Sequence, residues 1–304
     1  NMMESELIVN HQKYFKKVVQ MGNQQRSSTH TNSIIKKIHD GIIGNAYNAV
    51  AFYNNNRGRV PNQVPMSPPK GLDWNLFQGP APRRNYTHDT WDYNWRWYGW
   101  DYGTGEAGNN ATHELDIARW ALDVNYPISV NVFAEKNHFL DDGWTMYDNM
   151  EAKFKFSKNK SINWNCRSRN AFGKNRDGGR GTIIYGTEGS VFINRKEYIL
   201  YDIKGNVIDN VKSNDNESGI ALGGGGDMTT RHMQNFVDSI RHGDTLNSPI
   251  DDAVISQSLV HYANISYRSD RSFKIDEKSG LIYDRDAMKL WSRKYEPGWK
   301  INSI

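Results

Sequence analysis

The sequence predicts an α/β plus α+β protein: the terminal piece of an α/β domain joined to an α+β domain built on a large, mostly antiparallel sheet flanked by helices. Three observations carry this. Helical apolar periodicity runs through residues 2–41 and gives way to strand texture after Gly44. Six short strand-like runs then follow between residues 128 and 202, with Gly, Asn and Asp between them. Helical periodicity returns at residues 228–267. A chain of 304 residues is long enough to bury a real core.

Residues 2–17 place Leu7, Ile8, His11 and Phe15 at helical spacing, continued by Val18, and "VVQMG" at 18–22 reads as a short buried strand. "TNSIIKKIHDG" follows, with Thr31 or Asn32 as N-cap, an apolar stripe of Ile34, Ile35 and Ile38, and Gly41 as the stop. "MEAKFKFS" alternates Met150, Ala152, Phe154 and Phe156 with Glu151, Lys153 and Lys155, the period-2 pattern of a sheet with one wet face. "ISVNVFAEK", "SINWNCRS", "TIIYGT", "SVFIN" and "EYILYD" add further strands. Residues 228–242 put Met233, Phe236, Val237 and Ile240 on one helical face before Gly243, and residues 251–267 are apolar nearly all round, as in a buried helix. "GGGG" at 223–226 lacks the Lys-Ser/Thr of a phosphate loop and reads as a flexible connection.

Composition narrows the function. Hydrophobic residues make up 37% and charged residues 24%, with a net charge of +4 and no Lys/Arg stripe, so nucleic acid is not the expected partner. The doublets Lys16-Lys17 and Lys36-Lys37 fall on solvated helix faces. One cysteine, Cys166, excludes an internal disulfide and a Cys-based zinc site. No apolar run approaches the ~18–20 residues of a membrane span.

Residues 86–102, "YTHDTWDYNWRWYGWDY", hold eight aromatics in seventeen positions, interleaved with Asp89, Asp92, Asn94, Arg96 and Asp101. Aromatic faces stack on the C–H faces of sugars while carboxylates and amides bond the hydroxyls, so this is a carbohydrate-like composition. The same rings also serve to pin a loop to a core. "YGTGEAGNNATHELDIARW" at 102–120 follows directly. Gly103, Gly105 and Gly108 permit tight geometry, Asn109 or Asn110 is placed to cap a helix over 112–122, and His113, Asp116 and Trp120 share a stripe. In a first turn His113 would be held neutral by the positive helix end and act as a base, with Asp116 orienting it; a plain capping histidine fits the same spacing. Arg167 and Arg169 end a strand and face either a substrate oxygen or solvent, and "HFLDDGW", with His138, Asp141 and Asp142, reads more readily as a turn than as a metal site.

Taken together, "VVQMGNQQRSS", "LDWNLFQGPAPRR", "GNNATHELDIARWAL", "TIIYGTEGSVFIN" and "HMQNFVDSIRHG" resemble the Gfo/Idh/MocA oxidoreductase family, and within it a Bacteroidetes-type subgroup, over almost the whole chain. The resemblance implies that residues 1–45 are the last part of a Rossmann domain and 46–304 the substrate-binding domain with its open sheet. It implies NAD or NADP as cofactor and hydride transfer at a secondary alcohol of a sugar, polyol or glycoside. His113 matches the family's histidine, and the family's aspartate falls on Asn109. The Glu-Lys-Pro lysine and the glycine fingerprint are not in this sequence, and activity is expected of a longer parent protein. The site expected on this basis comprises His113, Asn109 and Asp116 at the reaction centre, Trp95, Trp97, Tyr98, Arg169 and His232 on the carbohydrate, and Gln25, Arg26, Trp74 and Arg83 on the cofactor. A homo-oligomer through the open sheet face is implied as well, and no compartment is assigned. NAD-dependent glycoside hydrolysis of the N-acetylgalactosaminidase type and non-catalytic glycan binding are the alternatives.

Overall fold

The computed structural model describes residues 1–87, 93–213 and 226–301. Its helices are α1 (Met2–Phe15), α2 (Thr29–His39), α3 (Trp74–Gln78), α4 (Thr112–Leu122), α5 (Lys174–Asp177), α6 (Gly226–His242) and α7 (Ile250–Ser269). The strands are β1 (Ala46–Asn54), β2 (Ser129–Glu135), β3 (Asn149–Lys155), β4 (Ser161–Arg167), β5 (Arg180–Gly186), β6 (Gly189–Ile193), β7 (Glu197–Asp202), β8 (Val207–Lys212) and β9 (Phe273–Lys274). They form one mixed sheet in the order β8-β7-β6-β5-β1-β4-β3-β2-β9. Every pairing is antiparallel except that of β1 with β4.

Alternation decides which face is covered. In β3, Met150, Ala152 and Phe154 are buried while Glu151, Lys153 and Lys155 are exposed, as the sequence predicts. α4 lies on β1 and β5, α7 on β2 and α2 on β7, so all three cover the same face, with α1 outside against α7. α7 is interior as expected, with Leu259, Val260, Tyr262 and Ala263 buried. The opposite face carries a cavity of about 600 Å³ lined by Val50, Phe52, Ile183, Tyr185, Ile199 and Tyr201. A second, smaller core gathers Val60, Trp97, Tyr98, Trp144 and Met146, where the Trp97 and Trp144 rings stack at 4.1 Å.

Local expectations are corrected at several points. "VVQMG" is not a strand: it meets only a turn, with Gln20 bridging Pro249 and the Met21 amide donating to the Ser248 carbonyl. A buried strand needs neighbours to saturate its backbone, and this segment has a single bridge among the described residues. The predicted stripe of α1 is inside only at Leu7, while Ile8 and Phe15 are exposed. α2 begins after Ser28, and Asn32 instead donates to the carbonyls of Arg26 and Ser28. Gly41, at φ +91°, provides the expected stop. Of the glycine run, residues 223–225 lie outside the described residues and Gly226 opens α6.

Candidate active site

The turn ahead of α4 is helical from Gly105, and Ala107–Ala111 form a π-helical segment that runs straight into α4. Such wide turns recur at functional sites because they re-aim side chains without breaking the helix. Two glycines set its position by contact. A Cβ on Gly103 would meet the Arg96 backbone at 2.6 Å, so only glycine lets the aromatic segment lie against the turn. Gly105 sits at φ +65° beneath the Tyr147 ring.

The expected caps are not used. Ala111 occupies the N-cap position without a side-chain bond, and the amides of Asn109 and Asn110 both donate to Glu106. His113 is therefore inside a continuous helix rather than at its exposed end. It is half-buried, and burial first, then the positive charges of Arg195 and Arg180, push its pKa down to about 3. The ring is neutral at physiological pH, as expected, but from desolvation and guanidinium charge rather than from a helix terminus.

A chain of polar and ring contacts runs from Glu114, the residue after His113, to the aromatic segment. Arg180 bonds the buried Glu114 carboxylate through Nε (2.8 Å) and Nη2 (2.5 Å), and its guanidinium lies 5.6 Å from the Tyr53 ring. The Tyr53 hydroxyl accepts from Arg57 Nη2 at 3.1 Å. Arg57 then donates to Glu106 (3.0 Å) and to the Tyr93 hydroxyl (3.2 Å) and lies 4.9 Å from the Trp97 ring. Arg96 donates from Nε to Asn109 Oδ1 at 3.1 Å and packs against Tyr93 and Trp95 at 4.2 and 4.3 Å. Tyr53, Arg57, Glu106, Glu114, Arg180 and Arg195 escaped the sequence reading, since each comes from a different element. The only local signal was a charged residue beside a strand end or within the glycine turn.

The other expected residues divide. Gln25 donates to the Asn194 carbonyl at 3.3 Å, to which His30 is also bonded at 3.0 Å, and so reaches the turn that carries Arg195. Asp116 does not. Its carboxylate is filled by Arg26 at 2.8 and 2.7 Å and by Ser256 at 2.6 Å, because α4 turns this flank toward the Gln24–Ser27 turn. Arg26 also pairs with Asp252 at 2.8 Å and lies 5.1 Å from the Trp120 ring, so both partners serve as an internal clamp. His232 is buried with both ring nitrogens occupied, by Ser27 Oγ (2.7 Å) and the Met21 carbonyl (2.8 Å), and ties α6 to that turn.

Trp97 and Tyr98 face the small core, not a surface, and only Trp95 of the three expected rings stays half-buried beside Arg96. Trp91 lies outside the described residues. Arg169 is enclosed between Asp142, Asp148 and the Trp144 ring. Its aspartates belong to that ion-paired cage, and no grouping of three metal-binding side chains occurs among the described residues. Trp74 and Arg83 form a separate cluster. The Trp74 ring stacks on Phe77 and meets Tyr86 and Tyr102 edge-on, and Arg83 donates to the carbonyls of Gly79 and Ala81.

The GFO_IDH_MocA_C model, an oxidoreductase family's C-terminal alpha/beta domain, matches residues 80–275. The chain belongs to the Gfo/Idh/MocA oxidoreductase family. No curated protein matches the sequence. Similar solved structures include the aldose-aldose oxidoreductase from Caulobacter crescentus complexed with glycerol, at 14% identity and TM-score 0.61 over 90% of this chain and 69% of that one. A putative myo-inositol dehydrogenase from Sinorhizobium meliloti is 15% identical with TM-score 0.58, covering 91% and 71%. A levoglucosan dehydrogenase in complex with NADH and levoglucosan is 18% identical with TM-score 0.58, covering 84% and 66%. These likenesses establish the fold, and the chain spans about two thirds of each relative. No described helix is long and apolar enough to cross a membrane.

Proposed function

We propose that this chain is the sugar-facing part of an NAD(P)-dependent dehydrogenase that moves hydride at a secondary alcohol of a sugar, polyol or glycoside. The observation that carries the reading is His113, a neutral imidazole in the field of Arg180 and Arg195, next to the Glu114–Arg180 pair on the helix that the Asn109 turn leads into. The structural relatives that act on aldoses, inositol and levoglucosan support the substrate class.

Residues 1–45 are read as the last part of the dinucleotide-binding domain and residues 46–304 as the substrate domain. Gln25 Oε1 is buried without a hydrogen-bond partner among the described residues, and Gln25 and His30 meet at the Asn194 carbonyl; we assign this corner to the carboxamide end of a nicotinamide. No glycine fingerprint for the phosphates occurs in this sequence. When bound, the nicotinamide supplies hydride acceptance. The residues of this chain do the rest: Tyr93 and Trp95 stack the sugar, Asn109 bonds a hydroxyl, and His113 takes the carbinol proton. A weakly basic ring suffices there, because the hydroxyl proton becomes that of a protonated carbonyl as the C–H electrons leave. The reverse reaction retraces this path, the imidazolium returning its proton to the carbonyl oxygen as hydride reaches the carbon.

In the longer protein, His113→Ala is expected to lower kcat by about 10²-fold or more with an unchanged melting temperature. Intact turnover would remove the role assigned to His113. Sugar oxidation should yield net NADH; glycoside release without NADH would assign hydrolysis instead. We also infer that a second copy of the chain covers the apolar open face of the sheet.

A further inference from the structure

We propose that Glu106 is a positioning residue that locks the Asn109 amide in one orientation, so that the site keeps its negative charge at position 106 and requires a neutral amide at 109. This rests on the dehydrogenase reading and deepens it.

Glu106 is fully buried. Its Oε1 accepts from Asn109 Nδ2 at 3.0 Å, from Asn110 Nδ2 and from Arg57 Nη2 at 3.4 Å. Its Oε2 accepts from Arg57 Nε at 3.0 Å and Ser168 Oγ at 3.3 Å. An ionised carboxylate only accepts, so the Asn109 amide has to present Nδ2 inward. At the outer end Arg96 only donates, and it takes Oδ1 at 3.1 Å. The amide is thus fixed from both sides by groups of opposite hydrogen-bonding character, and flipping it breaks both contacts. The π-helical turn brings the two asparagines onto the same carboxylate. Asn109 itself is half-buried at the edge of the aromatic segment, where Arg96 lies between it and the Tyr93 and Trp95 rings.

The geometry makes the polarity of the pair, and not the side-chain shapes, the requirement. An aspartate at 109 would remove the donor that faces Glu106 Oε1 and set a second carboxylate against the first. A glutamine at 106 does not repair this, because an amide turned to donate toward 109 would also meet Asn110 Nδ2 and Arg57 Nη2, which donate to the same position.

The test uses the longer, cofactor-loaded protein with three variants: Asn109→Asp, Glu106→Gln, and Asn109→Ser, whose hydroxyl donates to Glu106 without adding charge. Asn109→Asp is expected to lose at least tenfold in kcat at pH 8, with KM little changed, and to recover as pH falls and the pair regains a shared proton. Glu106→Gln should lower the melting temperature, since Arg57 loses its buried counter-charge, and Asn109→Ser should melt close to the wild type. Asn109→Asp matching wild-type kcat and melting temperature at pH 8, or an Asn109→Ser that melts no higher than Asn109→Asp, overturns the proposal. Absence of any sugar oxidation by the wild type would defeat the dehydrogenase reading. The melting series then decides the pairing: a stable Asn109→Ser beside a destabilised Asn109→Asp supports it, and equal melting of the two refutes it.

Discussion

At the level of single residues, His113 shows how a side chain's role is set by neighbours that the local sequence does not contain. An unfolded imidazole takes a proton near pH 6.5, whereas the folded His113 does so only at about 3. Between those values the unfolded state binds more protons, so this group makes stability rise with pH across the window and fall as pH drops through it. The ring resonances of His113, followed by NMR, should stay those of neutral imidazole from pH 8 down to pH 5; a midpoint near 6.5 would contradict its burial beside Arg180 and Arg195. Its spacing to Asp116 was legible, but the two guanidiniums arrive from β5 and the β6–β7 turn, and no periodicity foretells that. Trp97 and Tyr98 make the same point in reverse. Ring composition does not tell a ring that stacks a sugar from one that packs inward, and Trp144, far along the chain, decides the matter by stacking on Trp97.

Among elements, α4 joins the parts of the molecule through buried ion pairs rather than through apolar packing alone. Glu114 holds the start of β5 through Arg180, and Asp116 holds the Gln24–Ser27 turn through Arg26. Asp116 and Arg26 are 1% and 7% exposed, so removing the arginine leaves an uncompensated buried carboxylate. Arg26→Ala is expected to cost about 3–5 kcal/mol in urea unfolding, and Arg26→Lys to recover only part, since an ammonium cannot meet both carboxylate oxygens at once. A loss below about 1 kcal/mol would show the pair to be solvated. The strands were the most legible elements, because a half-wet sheet writes its period into β3 directly. The "VVQMG" run was misread because an apolar run records burial and not the partner that would make it a strand. The π-helical turn was invisible for a related reason: Glu106 sits among small residues whose spacing suits ordinary capping equally well.

For the whole molecule, the sheet poses a question of coverage. Helices hide one face, yet the other is also apolar at its centre: β5 turns Ile184 toward the helices and Ile183 and Tyr185 outward, and β7 turns Leu200 in and Ile199 and Tyr201 out. A strand apolar on both faces belongs in a sheet covered on both sides. A cavity of about 600 Å³ floored by such side chains is the kind of exposed apolar patch that marks an interaction surface. If a second copy supplies the cover, Ile183→Lys combined with Ile199→Lys should convert the protein to a monomer in light scattering after gel filtration, with the circular dichroism of the folded chain retained. Charge at the centre of a buried apolar interface has no partner, whereas on a solvated face it costs little. An unchanged molar mass in the double variant would mean that the face is left open and that any assembly uses another surface.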